Sequence, residues 1–123
     1  MNHSPGFLKI VEETRPRVAE ITVAEARARI EANCGAILVD VREDSEWQQG
    51  HAIEAVHIGK GVLERDLEGK INEPNAEILM YCGGGYRSVL AADMAVKMGY
   101  SKVFSIAGGY KKMVDSGWKT TAG

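Results

Sequence analysis

Cysteine and proline are scarce in this 123-residue chain, and it contains no long apolar run. Its two cysteines, Cys34 and Cys82, stand 48 positions apart, which is neither a C-x-x-C spacing nor a zinc-type pattern. A structural disulfide is not expected in a reducing compartment, so each cysteine needs its own explanation. No apolar stretch approaches the roughly 20 residues that a membrane helix needs. The N-terminal residues MNHSPGFLKIVEET lack the basic start and apolar middle of a signal peptide, so a cytoplasmic location and no membrane partner are expected.

An excess of one charge is also missing. The formal net charge is -2, with 7 basic against 10 acidic side chains in residues 1–60 and 8 against 7 in residues 61–123. Nucleic-acid binding normally needs a clear basic patch, so no nucleic-acid partner is expected. Lys111, Lys112 and Lys119 make the C-terminal end locally basic, which reads as a solvated face. Hydrophobic residues at 45% and charged ones at 26% are ordinary for a globular chain, and this length suits one domain with one core.

Apolar periodicity divides the chain into alternating elements. Phe7, Leu8, Ile10 and Val11 suggest a short N-terminal helix interrupted by Pro16, with an extended piece near Val18–Ile21. In ITVAEARARIEANCG, Thr22 is placed to cap a helix with Glu25 as its capping-box partner, and Gly35 to end it. AILVDV is too short for a helix and reads as a strand covered on both faces. EDSEWQQG reads as a brief helix capped by Asp44 or Ser45, followed by an extended piece at Ala55–Ile58 and a further short helix ended by Gly69. EILMY and KVFSI are further strands; Leu90, Met94 and Met98 mark a helix face between them, and GGYKKMVDSG a final helix. Strands alternating with helices argue for a parallel sheet with helices on both faces.

Cys82 follows the strand EILMY directly, and ligands of open α/β sheets bind beyond the carboxyl ends of strands. The helix after it begins near Tyr86–Ser88, so its unpaired amides and positive dipole end point back toward the sulfur and favour a thiolate. Gly83, Gly84 and Gly85 can turn their amides inward as an anion-binding nest, and Arg87 adds a permanent cation at the rim. Three consecutive glycines cost conformational entropy that a merely structural turn would avoid. Together these residues describe a site for sulfur or oxyanion chemistry.

The sequence resembles the rhodanese-like sulfurtransferases over about residues 20–118. The resemblance is carried by VDVRE at Val39–Glu43, GHAIEAVHI at Gly50–Ile58, CGGGYRS at Cys82–Ser88 and IAGGY at Ile106–Tyr110, in the family's order and spacing. It implies an α/β, rhodanese-like fold: a five-stranded parallel sheet flanked by helices on both faces, with the domain at residues 20–120 and a short N-terminal helical extension at 1–19. It also implies a single-domain sulfurtransferase with Cys82 as the catalytic residue. Cys82 is expected to pass a sulfane sulfur, as a persulfide, from a small donor such as thiosulfate to a thiol acceptor, or to cyanide in an assay. Gly83, Gly84, Gly85, Tyr86, Arg87 and Ser88 are the expected substrate-binding residues, with no cofactor and no metal. The alternative is a persulfide relay or interaction module with a protein sulfur donor or acceptor.

From Cys82 through Arg87 the loop is six residues, like the C-x-x-G-x-R of the family's sulfurtransferases. Phosphatases and arsenate reductases on this fold resemble C-x5-R, one residue longer. The shorter loop should form a smaller cradle that suits one sulfur, which makes phosphatase or arsenate reductase the weaker alternative. Asp40, Arg42 and His51 match family positions and are expected to support the loops, while Arg65 is a further candidate for charge at the site mouth. His51 and His57 lack a third metal ligand at a suitable spacing and are expected to hydrogen-bond structurally. Tyr86 is expected at the pocket entrance, Trp47 and Trp118 as packing anchors, and Cys34 as inert. Ala52 and Glu54 depart from the family pattern around the turn after His51.

Overall fold

The computed structural model describes residues 3–32 and 35–123, so the expectation for Cys34 lies outside the described residues. Helix α1 (Pro5–Thr14) starts after Ser4, whose Oγ accepts the Phe7 amide, and a 3₁₀ turn at Arg15–Arg17 follows where Pro16 stops it. Then come β1 (Ala19–Ile21), α2 (Val23–Ala32), β2 (Ile37–Asp40), α3 (Asp44–Gln49), β3 (His51–Ala52) and β4 (Val56–His57). After a 3₁₀ turn at Lys60–Val62 the chain forms α4 (Leu63–Lys70), β5 (Glu77–Tyr81), α5 (Arg87–Lys97), β6 (Lys102–Ile106), α6 (Gly109–Asp115) and β7 (Thr120–Thr121).

Five strands pair in the order β1-β6-β5-β2-β4, all parallel, as expected from the alternating pattern. Strand β5 is central, and its period-two alternation sends side chains into two cores. Ile78, Met80 and Cys82 face Leu63, Leu67, Ala91 and Ala95 of α4 and α5. Leu79 and Tyr81 face Ala26 of α2, Met113 of α6 and Trp118. Burying each of these larger aliphatic side chains contributes about 1.5–3 kcal/mol, so a strand buried on both faces fixes both its register and its neighbours. The cysteine at the end of β5 is therefore held on a rigid element.

The local signals explain most element boundaries. Thr22 Oγ1 accepts the Glu25 amide at 3.1 Å while Glu25 Oε1 accepts the Thr22 amide at 2.8 Å, the reciprocal capping box read from the sequence. For α3 the cap is Glu43, one residue earlier than Asp44 or Ser45: Glu43 is extended, and its amide donates to Glu46 Oε1 at 3.1 Å. Gly69 lies inside α4, which continues to Lys70. A small antiparallel pair joins His51 to Thr121 and Ala52 to Thr120. Its two-residue strands carry no hydrophobic pattern, and the buried Ala52 amide also donates to the Tyr81 hydroxyl at 3.1 Å. Among the described residues no helix is long and apolar enough to cross a membrane.

Candidate functional site

Cys82 is 1% exposed and lies at the floor of a cleft of about 750 Å³. Its Sγ accepts the Gly85 amide at 3.2 Å and the Ser88 amide at 3.4 Å. The second donor is in the first turn of α5, so the helix's positive end also faces the sulfur. Ser88 Oγ stands 3.5 Å from Sγ and 2.8 Å from the buried Ser105 Oγ on β6, so a pair of hydroxyls reaches the sulfur at the edge of the apolar core. Donors at these distances lower the energy of negative charge on sulfur.

The loop is shaped from behind by α6. The Tyr110 amide donates to the Cys82 carbonyl at 2.7 Å and the Lys111 amide to the Gly83 carbonyl at 3.1 Å. In a trans peptide the N–H points opposite to the C=O, so the amides of Gly83 and Gly84 turn away from α6. Two glycines permit this contact. A Cβ on Gly109, whose φ is +57°, would lie 2.5 Å from the Cys82 carbonyl oxygen. One on Gly85, whose φ is +94°, would lie 2.9 Å from the Gly108 nitrogen. Of the three loop glycines, only Gly85 has positive φ.

Arg87 lines the cleft but is already engaged. Its Nη1 and Nη2 donate to Glu46 Oε1 and Oε2 at 2.7 and 3.0 Å, a bidentate pair between α5 and α3. The pairing raises the Arg87 pKa and holds the Glu46 carboxyl below its usual range, with the mutual hydrogen bonds as the main cause in each. Tyr86 sits at the cleft wall, its ring centroid 4.4 Å from that of His3 and 6.4 Å from that of Phe7.

A strand-end cysteine on this topology can be compared with known proteins. The model of the rhodanese-like domain matches residues 22–116. The chain belongs to the rhodanese-like domain family. A candidate sulfur carrier protein of Bacillus subtilis (strain 168), YrkF, is 30% identical over 99 residues, 80% of this chain and 52% of that protein. The chain thus spans about half the length of that relative. The thiosulfate sulfurtransferase of Pseudomonas aeruginosa is 26% identical with a TM-score of 0.77, over 85% of this chain and 20% of that one. A Rhodopseudomonas palustris protein of unknown function, described as a candidate tyrosine phosphatase, is 26% identical with a TM-score of 0.82 over 98% of both chains. Proteins named for sulfur carriage and for sulfur transfer are thus among those that share this rhodanese-like domain.

The remaining residues chosen from the rhodanese resemblance separate into two groups. Asp40 and Arg42 are both buried, and Arg42 Nη2 donates to Asp40 Oδ2 at 2.8 Å and to the Gly50 carbonyl at 2.6 Å. The Arg42 guanidinium also lies 4.1 Å from the Tyr110 ring centroid, so this pair ties the loop after α3 to α6. His51 is buried, its Nδ1 2.8 Å from the Trp47 carbonyl oxygen and its ring stacked on Trp47 at 3.4 Å. His57 bonds the Arg42 carbonyl at 2.8 Å and also stacks on Trp47. Trp118 is buried and donates to Glu54. Arg65 is not brought to the site: its side chain is 74% exposed on α4 and pairs with Asp66, because that helix face points to solvent. Sequence reasoning missed Glu46, Ser105, His3 and Phe7, whose positions depend on packing between distant segments.

Proposed function

We propose that this domain is a sulfurtransferase that carries a sulfane sulfur as a persulfide on Cys82. The observation that carries this reading is the pair of amides, from Gly85 and Ser88, aimed at a sulfur on the floor of an open cleft. In the first half-reaction the Cys82 thiolate attacks the outer sulfur of a donor such as thiosulfate. The donor S–S bond breaks, sulfite leaves with the electron pair, and Cys82 holds the persulfide. In the second half-reaction an acceptor thiolate, or cyanide in an assay, attacks the terminal sulfur and regenerates the Cys82 thiolate.

The terminal sulfur of the persulfide is expected to lie against the loop amides of Gly83 and Gly84, which turn away from α6, and of Tyr86 and Arg87. Arg87, held by Glu46, fixes the rim and contributes little free charge. Neither half-reaction requires a metal or organic cofactor. The compact loop favours one sulfur over a tetrahedral oxyanion, so hydrolysis of aryl phosphates is expected to be absent. Initial rates with thiosulfate and cyanide varied together test the scheme. Parallel double-reciprocal lines are expected, and intersecting lines or phosphate release from an aryl ester would contradict it. A protein persulfide as donor or acceptor is the second reading, favoured by the neutralisation of Arg87.

A further inference from the structure

The segment before residue 22 lies outside the family match, yet His3 and Phe7 line the Cys82 cleft. This wall is anchored. Val11 of α1 is fully buried, α1 packs along α5, and Arg17 Nη2 reaches Asp93 Oδ2 of α5 at 3.1 Å. The rings of His3, Phe7 and Tyr86 form one tilted cluster, with centroids 4.4 to 6.4 Å apart, and the Arg15 guanidinium lies 5.8 Å from the Tyr86 ring. Phe7 also borders a second hollow of about 650 Å³, lined further by Val41, Lys60 and Val62. Both hollows share Glu43, Ser45 and Arg87, so Phe7 stands between two lobes of one groove.

The size and aromatic wall of this groove point away from thiosulfate as the preferred donor. The Cys82 lobe falls within the range of about 300–1,000 Å³ that accommodates organic ligands, far more than a small inorganic dianion fills. Its lining cations, Arg87 and Lys111, are balanced by Glu43 and Glu46, so charge alone does not select a small dianion over a larger anionic donor. An aromatic wall rewards a carbon body instead.

We propose that His3 and Phe7, with Tyr86, are specificity-determining residues that select a low-molecular-weight organic persulfide, its carbon body lying along the aromatic wall. This rests on the persulfide reading of Cys82. The Cys82 thiolate attacks the terminal sulfur of R–S–SH, the S–S bond of the donor breaks, and R–S⁻ leaves. Cys82 is left as the persulfide, and no external oxidant or reductant is consumed.

The test compares freshly prepared glutathione persulfide with thiosulfate as donors to the wild-type chain and to the Phe7→Ala and His3→Ala variants. Thermal melts of both variants establish that they are folded, and two variants guard against one failing to fold. The expected result is a kcat/KM at least about tenfold higher for glutathione persulfide in wild type, a preference that falls about tenfold in Phe7→Ala, chiefly through KM. His3→Ala is expected to reduce the preference in the same direction. Equal or better use of thiosulfate by wild type, an unchanged donor ratio in the folded variants, or transfer from a protein persulfide alone overturns the inference. Failure of every donor to load Cys82 in wild type overturns the persulfide reading itself, so the two failures are distinguishable.

Discussion

At the scale of single residues, the site depends on groups that orient polar atoms at one sulfur. Gly85→Ala would force a Cβ toward the Gly108 nitrogen at a positive φ, so a loss of about 1–3 kcal/mol in denaturant unfolding is expected, together with slower sulfur loading. Unchanged stability would show that the loop has room to move. Glu46→Gln removes the carboxylate that occupies Arg87, so the KM for thiosulfate is expected to fall several-fold, measured by steady-state kinetics; a higher KM would contradict this. That the Gly85 and Ser88 amides meet the Cys82 sulfur was legible in the sequence because all three residues lie within seven consecutive positions. Glu46 was not, since its partner Arg87 is 41 positions away. Nor was Ser105, which meets Ser88 across 17 positions through the pairing of β5 and β6.

At the scale of elements, the joint between the N-terminal segment and α5 is expected to respond to pH. Hydrogen bonds from Arg17, then from Lys97, hold the Asp93 carboxyl below its usual range. The folded-state pKa is depressed, so the stabilisation is fully present above the unfolded carboxylate value and is lost as pH falls through the folded one. Wild type is therefore expected to lose more stability than Asp93→Asn between about pH 5 and 2, measured by denaturant unfolding across that range. Equal losses would show that the tie contributes nothing. The capping box of α2 was legible because Thr22 and Glu25 are neighbours in sequence. The pairing of β3 with β7 was not, because two-residue strands lack a pattern and Ala52 meets Thr120 only after the whole chain has folded back.

At the scale of the whole molecule, one sheet separates two cores and presents Cys82 beyond the end of its middle strand. Leu79→Ala, at a fully buried position of β5, is expected to cost about 2–5 kcal/mol in a single cooperative transition with an unchanged m-value. Two separate transitions would mean that the cores unfold independently. The alternation of short apolar runs with helices was enough to expect a parallel sheet, and the family resemblance implied its five strands. It could not reveal that α1 reaches across to the cleft, since that contact arises from tertiary packing. The most direct test of the account is the intact mass of the protein after brief exposure to thiosulfate or glutathione persulfide, beside Cys82→Ala. The account predicts a gain of one sulfur atom in wild type, removed by cyanide and absent in the variant. No gain with either donor, or a gain that persists in Cys82→Ala, would contradict it.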